Sequence, residues 1–232
     1  KIVLRDFYSS TISKGNYNWP NIDLLCMAAI LSKKFKVQII DANTLKMNAT
    51  DVLSKINSKN LKGIIFSVGK SVIDDDYNFI KSIKSEVHSI VKIVVTGGII
   101  YHNSLDEIRT NKFIDACILN FTTPDILNYF LNYEADLKNI VFRKDDKIIT
   151  KPIEMNETDF KIPIPPHNQL PLHKYQLSHG YTKPVSSVLT SYGCPHRCSF
   201  CVSAQINFQY RNVDNIIQEL DYLHSLGVKQ II

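Results

Sequence analysis

Lys92-Ile93-Val94-Val95-Thr96-Gly97-Gly98 is the stretch that decides the fold of this 232-residue chain. Its β-branched run lacks the polar alternation of a half-exposed strand and ends in two glycines ahead of a helical pattern. That reads as a strand buried on both faces entering a strand-to-helix turn. Four further runs of the same kind lie at residues 1–7, 36–41, 63–68 and 115–120. Helical patterns follow them at 21–34, 49–56, 74–86, 105–112 and 124–133. Five short apolar strands, each followed by a helix, predict an α/β fold with a parallel sheet covered on both faces. The right-handed crossover rule narrows this to a flavodoxin-like doubly wound sheet.

Ligands of such sheets sit outside the carboxyl ends of the strands. The loops there carry Asp41 and Asn43, then Ser67, Gly69 and Ser71, then Gly97 and Gly98, and finally Asn120. A long stretch rich in Ser, Gly and Asn, residues 8–19, follows the first strand. Glycines at this edge let a backbone come close to a bulky ligand; Gly97-Gly98 reads equally as a tight turn. Residues 139–142 and 147–150 read as a β-hairpin across a polar turn. Residues 152–184 hold six of the nine prolines, so they read as an extended, stiffened linker. Its histidines, His167, His173 and His179, are expected in ordinary packing and surface roles. The predicted organisation is 1–137, a Rossmann-like domain; 138–184, hairpin and linker; and 185–232, the start of a second domain.

Composition sets the limits. Apolar residues make up 44% and charged residues 21%, the balance of a globular protein, and no apolar run approaches the length that spans a bilayer. The net charge of +5 is spread over scattered lysines, a slight pointer to an anionic partner, and nucleic acid is not an expected one. Five cysteines, three of them clustered, suit a reducing cytoplasm better than a disulfide framework. Cys26 and Cys117 fall in apolar patterns and read as buried thiols.

The clustered three carry the chemistry. Cys194-Pro195-His196-Arg197-Cys198-Ser199-Phe200-Cys201 spaces its thiols as C-x3-C-x2-C after a strand-like stretch at 185–190. A structural zinc takes four protein ligands, whereas a cubane 4Fe–4S cluster on three thiolates leaves one iron open. A helix at 213–226 and a strand at 228–232 follow, the helix showing core-type spacing at Ile216, Ile217, Leu220 and Leu223. Arg211 reads either as a partner for a carboxylate or phosphate or as a surface residue.

This loop, with an aromatic residue before its last cysteine, resembles the cluster loop of the radical S-adenosylmethionine superfamily. The resemblance implies Cys194, Cys198 and Cys201 as ligands of a 4Fe–4S cluster, with Phe200 against the adenine of S-adenosylmethionine. It also implies cleavage of that cofactor to a 5′-deoxyadenosyl radical, with flavodoxin or ferredoxin as electron donor. Residues 185–232 would then be the first βα unit of a partial TIM barrel continuing beyond Ile232. The amino-terminal half, through Trp19-Pro20, Ile39-Ile40-Asp41-Ala42, Ile65-Phe66-Ser67-Val68 and Val94-Val95-Thr96-Gly97-Gly98, resembles the cobalamin-binding domain of one radical S-adenosylmethionine subfamily. There the carboxyl-edge loops hold the corrin, but Asn43 stands where some members carry a cobalt-ligating histidine. The resemblance thus implies a cobalamin-dependent methyltransferase acting on an unactivated carbon of a small molecule or peptide. Cyclisation, rearrangement and methylthiolation are the alternative reactions. A non-catalytic corrin-binding module whose cysteine loop holds zinc is the alternative of another class.

Overall fold

The computed structural model describes residues 1–6, 18–56, 60–151, 159–177, 182–201, 203 and 206–232. Its main body is a seven-stranded sheet. In chain order it contains β1 (Ile2–Arg5), α1 (Ile22–Leu31), β2 (Val37–Ile40), α2 (Ala49–Ile56), β3 (Gly63–Ser67), α3 (Ile73–Glu86), β4 (Lys92–Thr96), α4 (Gly98–Thr110), β5 (Ala116–Ile118) and α5 (Asp125–Phe130). The hairpin β6 (Ile140–Lys144) and β7 (Lys147–Ile149) follows. Strand order is β2-β1-β3-β4-β5-β6-β7, and the first five strands are parallel. This is the doubly wound order expected of the five apolar runs. The hairpin joins β5 antiparallel and so extends the sheet instead of standing apart from it.

Alternation along each strand sends Ile2 and Leu4 to the face covered by α1 and α5, and Val3 to the face covered by α2, α3 and α4. Helix α1 is apolar almost all round, with eight of its ten residues buried. A helix of that kind must be covered on two sides. The sheet covers one, and the same core continues into Phe160, Ile162, Tyr192 and Ile206 of the later chain. Helix α4 starts at Gly98, seven residues before the expected 105, and bends at Asn103, where φ is −120°. Residues 99–104 therefore belong to a helix where a loop was expected.

Beyond residue 158 the chain forms β8 (Asp159–Phe160), β9 (Val185–Ser186), β10 (Ser191–Tyr192), β11 (Gln209–Arg211), α6 (Val213–Ser225) and β12 (Gln230–Ile231). β9 and β12 pair in parallel across the α6 crossover, while β10, β11 and β8 make a small separate sheet. The described residues show one crossover unit and not a barrel. The segment 159–177 of the expected linker packs as a strap against the main body, at the β2 edge of the sheet. Gln169 Oε1 accepts the Ile39 amide at 3.3 Å, and Asn18 and Gln176 exchange two backbone bonds of 2.9 and 3.0 Å. His173 is exposed and His167 is fully buried. His179 and residues 7–17, including the end of the first expected strand, lie outside the described residues. Among the described residues no helix is long and apolar enough to cross a membrane.

Candidate functional site

The cysteine loop hangs from a two-strand neck. Ser191 pairs with Tyr210, and Tyr192 with Gln209, in the antiparallel β10–β11 ladder. Gly193 makes the next step possible. Its φ is +79°, and a Cβ there would stand 2.2 Å from the Asn207 carbonyl oxygen, so any other residue would force the two sides of the neck apart. The Cys194 amide then bonds the Ile206 carbonyl at 3.2 Å and closes the root. Farther out, the Cys201 amide bonds the Cys198 carbonyl at 3.1 Å, and the His196 amide points at Cys194 Sγ at 3.4 Å.

All five cysteines are free thiols. Cys26 and Cys117 are fully buried, as their apolar patterns required, and burial pushes the Cys117 thiol up to about 12. These two are inert. Cys194 and Cys201 are half-buried and Cys198 is exposed, so the loop thiols are the accessible ones. Three free thiols within eight residues fit a metal–thiolate centre by donor chemistry. Among the described residues, however, no three metal-ligating side chains are gathered into one coordinating set. Phe200 is 90% exposed and touches no core.

The neck is fixed to the main sheet at its carboxyl edge. Tyr192 is buried, donates its hydroxyl to the Leu119 carbonyl at 3.2 Å, and packs edge-on against Phe121 with ring centres 4.9 Å apart. The cysteine loop thereby stands over the end of β5, on the side where doubly wound sheets bind ligands. Beside it, Asp23 in the first turn of α1 accepts the Tyr101 hydroxyl at 3.3 Å, and burial pushes its carboxyl up to about 6.

The other carboxyl-edge residues serve largely the chain itself. Asp41 is buried, accepts the Thr44 amide at 2.9 Å, and takes the hydroxyl of Tyr175 from the strap. Ser67 accepts a bond from Asn21 Nδ2 at 3.1 Å, and Asn120 accepts the Thr122 amide and hydroxyl at 2.9 and 2.7 Å. The Gly69 amide donates to Asp76 at 2.9 Å. Gly97 leaves room for the Val68 carbonyl, 2.3 Å from where its Cβ would lie. Gly98 and Ser71 are exposed and Asn43 is half-buried.

One buried carboxylate at this edge was not foreseen. Asp6, just past β1, accepts the Ala42 and Asn43 amides at 2.9 and 3.1 Å and lies 4.0 Å from Arg5. Burial, then the neighbouring Asp41 charge, push its carboxyl up to about 7. A carboxyl raised on folding holds its proton more tightly in the native state, so its contribution to stability is greatest below pH 4 and falls as pH rises towards 7. Asp23 acts in the same direction. Thermal unfolding followed from pH 4.5 to 7.5 is therefore expected to show a declining contribution that Asp6→Asn reduces.

No family model matches the chain. A protein of Pyrococcus horikoshii named an uncharacterized methyltransferase is 26% identical to it, over 91% of this chain and 48% of the relative. The chain thus spans about half the length of the curated relative it matches. Membership of the cobalamin-binding radical S-adenosylmethionine family, implied by the resemblance, is not upheld. No family model supports it, and the relative's name speaks only of methyl transfer. The physical reason lies at the sheet edge, where several side chains assigned to a corrin already bond within the chain.

Proposed function

We propose that this chain is part of an S-adenosylmethionine-dependent methyltransferase and that Cys194, Cys198 and Cys201 hold a 4Fe–4S cluster in it. The observation that carries the reading is the loop itself. Three accessible free thiols lie within eight residues, on a neck that Gly193 and the Tyr192 anchor fix over the carboxyl edge of the sheet. The relative named a methyltransferase supports the transfer of a methyl group.

When bound, a cluster on three thiolates supplies an open iron for the donor's amino-acid end and an electron for breaking a carbon–sulfur bond. The chain's own groups provide the thiolates and direct the His196 amide at Cys194 Sγ. Tyr192 keeps the loop docked on the sheet. Cobalamin forms no part of the proposal, because Asp41, Ser67 and Asn120 are engaged and Gly97 is needed by Val68.

Anaerobic reconstitution with iron and sulfide tests the assignment. Wild-type protein is expected to take up close to four irons per chain, as a cubane does, and Cys198→Ala to lose most of that uptake. Bound zinc without iron, or uptake unchanged in Cys198→Ala, would contradict it.

A further inference from the structure

Helix α6 buries a charge where its apolar stripe should continue. Asn215, Glu219 and Leu223, four residues apart, form its buried face. Glu219 is fully buried, as are His167 and Ser186, and Arg211 is 2% exposed. The four make a closed set. Arg211 Nη1 donates to Glu219, Arg211 Nε donates to Asn215 Oδ1 at 2.9 Å, and His167 Nε2 lies 2.7 Å from the other Glu219 oxygen. Ser186 Oγ is 3.2 Å from His167 Nδ1. In the tautomer with its proton on Nε2, His167 donates to Glu219 and accepts from Ser186.

Arg211 is the outward link. Its Nη1 also donates to the Leu189 carbonyl at 3.2 Å, and its own amide bonds the Thr190 carbonyl at 2.9 Å. Leu189 and Thr190 lead into the cysteine-loop neck, and Arg211 ends the strand that leads out of it. Both roots therefore meet at one residue, Arg211, through its guanidinium and its backbone amide. Glu219 holds that guanidinium on α6, and His167 holds Glu219 on the strap. Apolar residues of equal volume could pack α6 as firmly, but they could not bond the Leu189 carbonyl or tie it to Glu219.

We propose that Arg211, Glu219 and His167 are positioning residues for the cysteine loop, so that metal capture by Cys194, Cys198 and Cys201 depends on a buried carboxylate that touches none of them. This rests on the reading of the loop as a metal–thiolate centre. The test is an anaerobic Co²⁺ titration of the reduced chain, read by the thiolate-to-cobalt charge-transfer band. Wild type is compared with Glu219→Gln, with Ser186→Ala, and with Ile83→Val, which weakens a remote core. The dissociation constant is expected to rise at least tenfold in Glu219→Gln and a few-fold in Ser186→Ala, and to stay unchanged in Ile83→Val despite its lower melting temperature. If Glu219→Gln does not fold, Ser186→Ala carries the comparison. Wild-type affinity in a folded Glu219→Gln, or in Ser186→Ala if only that folds, would overturn the inference alone. Absence of the band in the wild type would overturn the metal reading, and the inference with it.

Discussion

Replacing Glu219 by alanine is expected to lower the free energy of unfolding by about 3–5 kcal/mol, the usual consequence of removing one partner of a fully buried ion pair. The loss is not the worth of a contact. Arg211 keeps its charge and its burial, with, among the described residues, the neutral acceptors Asn215 Oδ1, the Asn215 carbonyl and the Leu189 carbonyl left to its guanidinium. His167 Nε2 loses its Glu219 partner at the same time. A urea titration followed by helix ellipticity measures the change. Asp106→Ala is the contrast, since its pairing with Arg109 is at the surface, with the two side chains 80% and 62% exposed, and removing it should shift the midpoint little.

A second large effect is expected at Gly97, with its neighbour as the control. Gly97 sits at φ +128°, ψ 169°, a region that is essentially glycine's alone and costs other residues about 1–3 kcal/mol. An added Cβ would also stand 2.3 Å from the Val68 carbonyl oxygen. That backbone cannot step aside cheaply, because the Val68 amide bonds the Thr96 carbonyl at 2.8 Å. Gly97→Ala should therefore cost at least about 3 kcal/mol on the same strain scale. At Gly98, in the first turn of α4, a Cβ would meet nothing within 4 Å. Gly98→Ala should leave stability unchanged or raise it by about 0.4–1 kcal/mol through the unfolded chain. Melting temperatures of the two variants, measured side by side, check the contrast.

The sheet could be read in advance because its strands are buried on both faces, so their apolar runs announce themselves locally. The expected run at 92–96 matches β4 residue for residue, and those at 36–41, 63–68 and 115–120 differ from β2, β3 and β5 only at their ends. What escaped was long-range and polar. Ile217, expected in the core, is 49% exposed, and the buried face of α6 instead carries Asn215 and Glu219. A glutamate on a helix reads as solvated unless its partners are known, and His167 lies 52 residues away in sequence. The spacing of Asn215, Glu219 and Leu223 at four-residue intervals behind Arg211 was a usable signal, since it aligns three side chains beneath a fixed cation.

The packing of residues 159–177 was not legible for a related reason. Prolines exclude helix and central strand, and the described residues of 152–184 contain neither an α-helix nor a central strand. They say nothing about whether an extended segment packs, and Tyr175 is completely buried against Asp41. Burial and the Asp41 charge raise the Tyr175 phenol well above its ordinary range, so its hydroxyl stays a donor. At the carboxyl edge, small residues were read as space for a ligand. Gly97 shows the other use of such space, which is to admit the chain's own backbone. The cysteine loop was legible from spacing alone, while its anchoring by Tyr192 and its clamp by Arg211 required the fold.

The most direct test of the central claim is an electron paramagnetic resonance spectrum of the reconstituted, reduced protein, recorded with and without S-adenosylmethionine. A reduced-cluster signal whose shape changes when S-adenosylmethionine is added, and which is lost in Cys198→Ala, is expected. A signal indifferent to S-adenosylmethionine, or no iron signal from a protein that carries zinc, would contradict it.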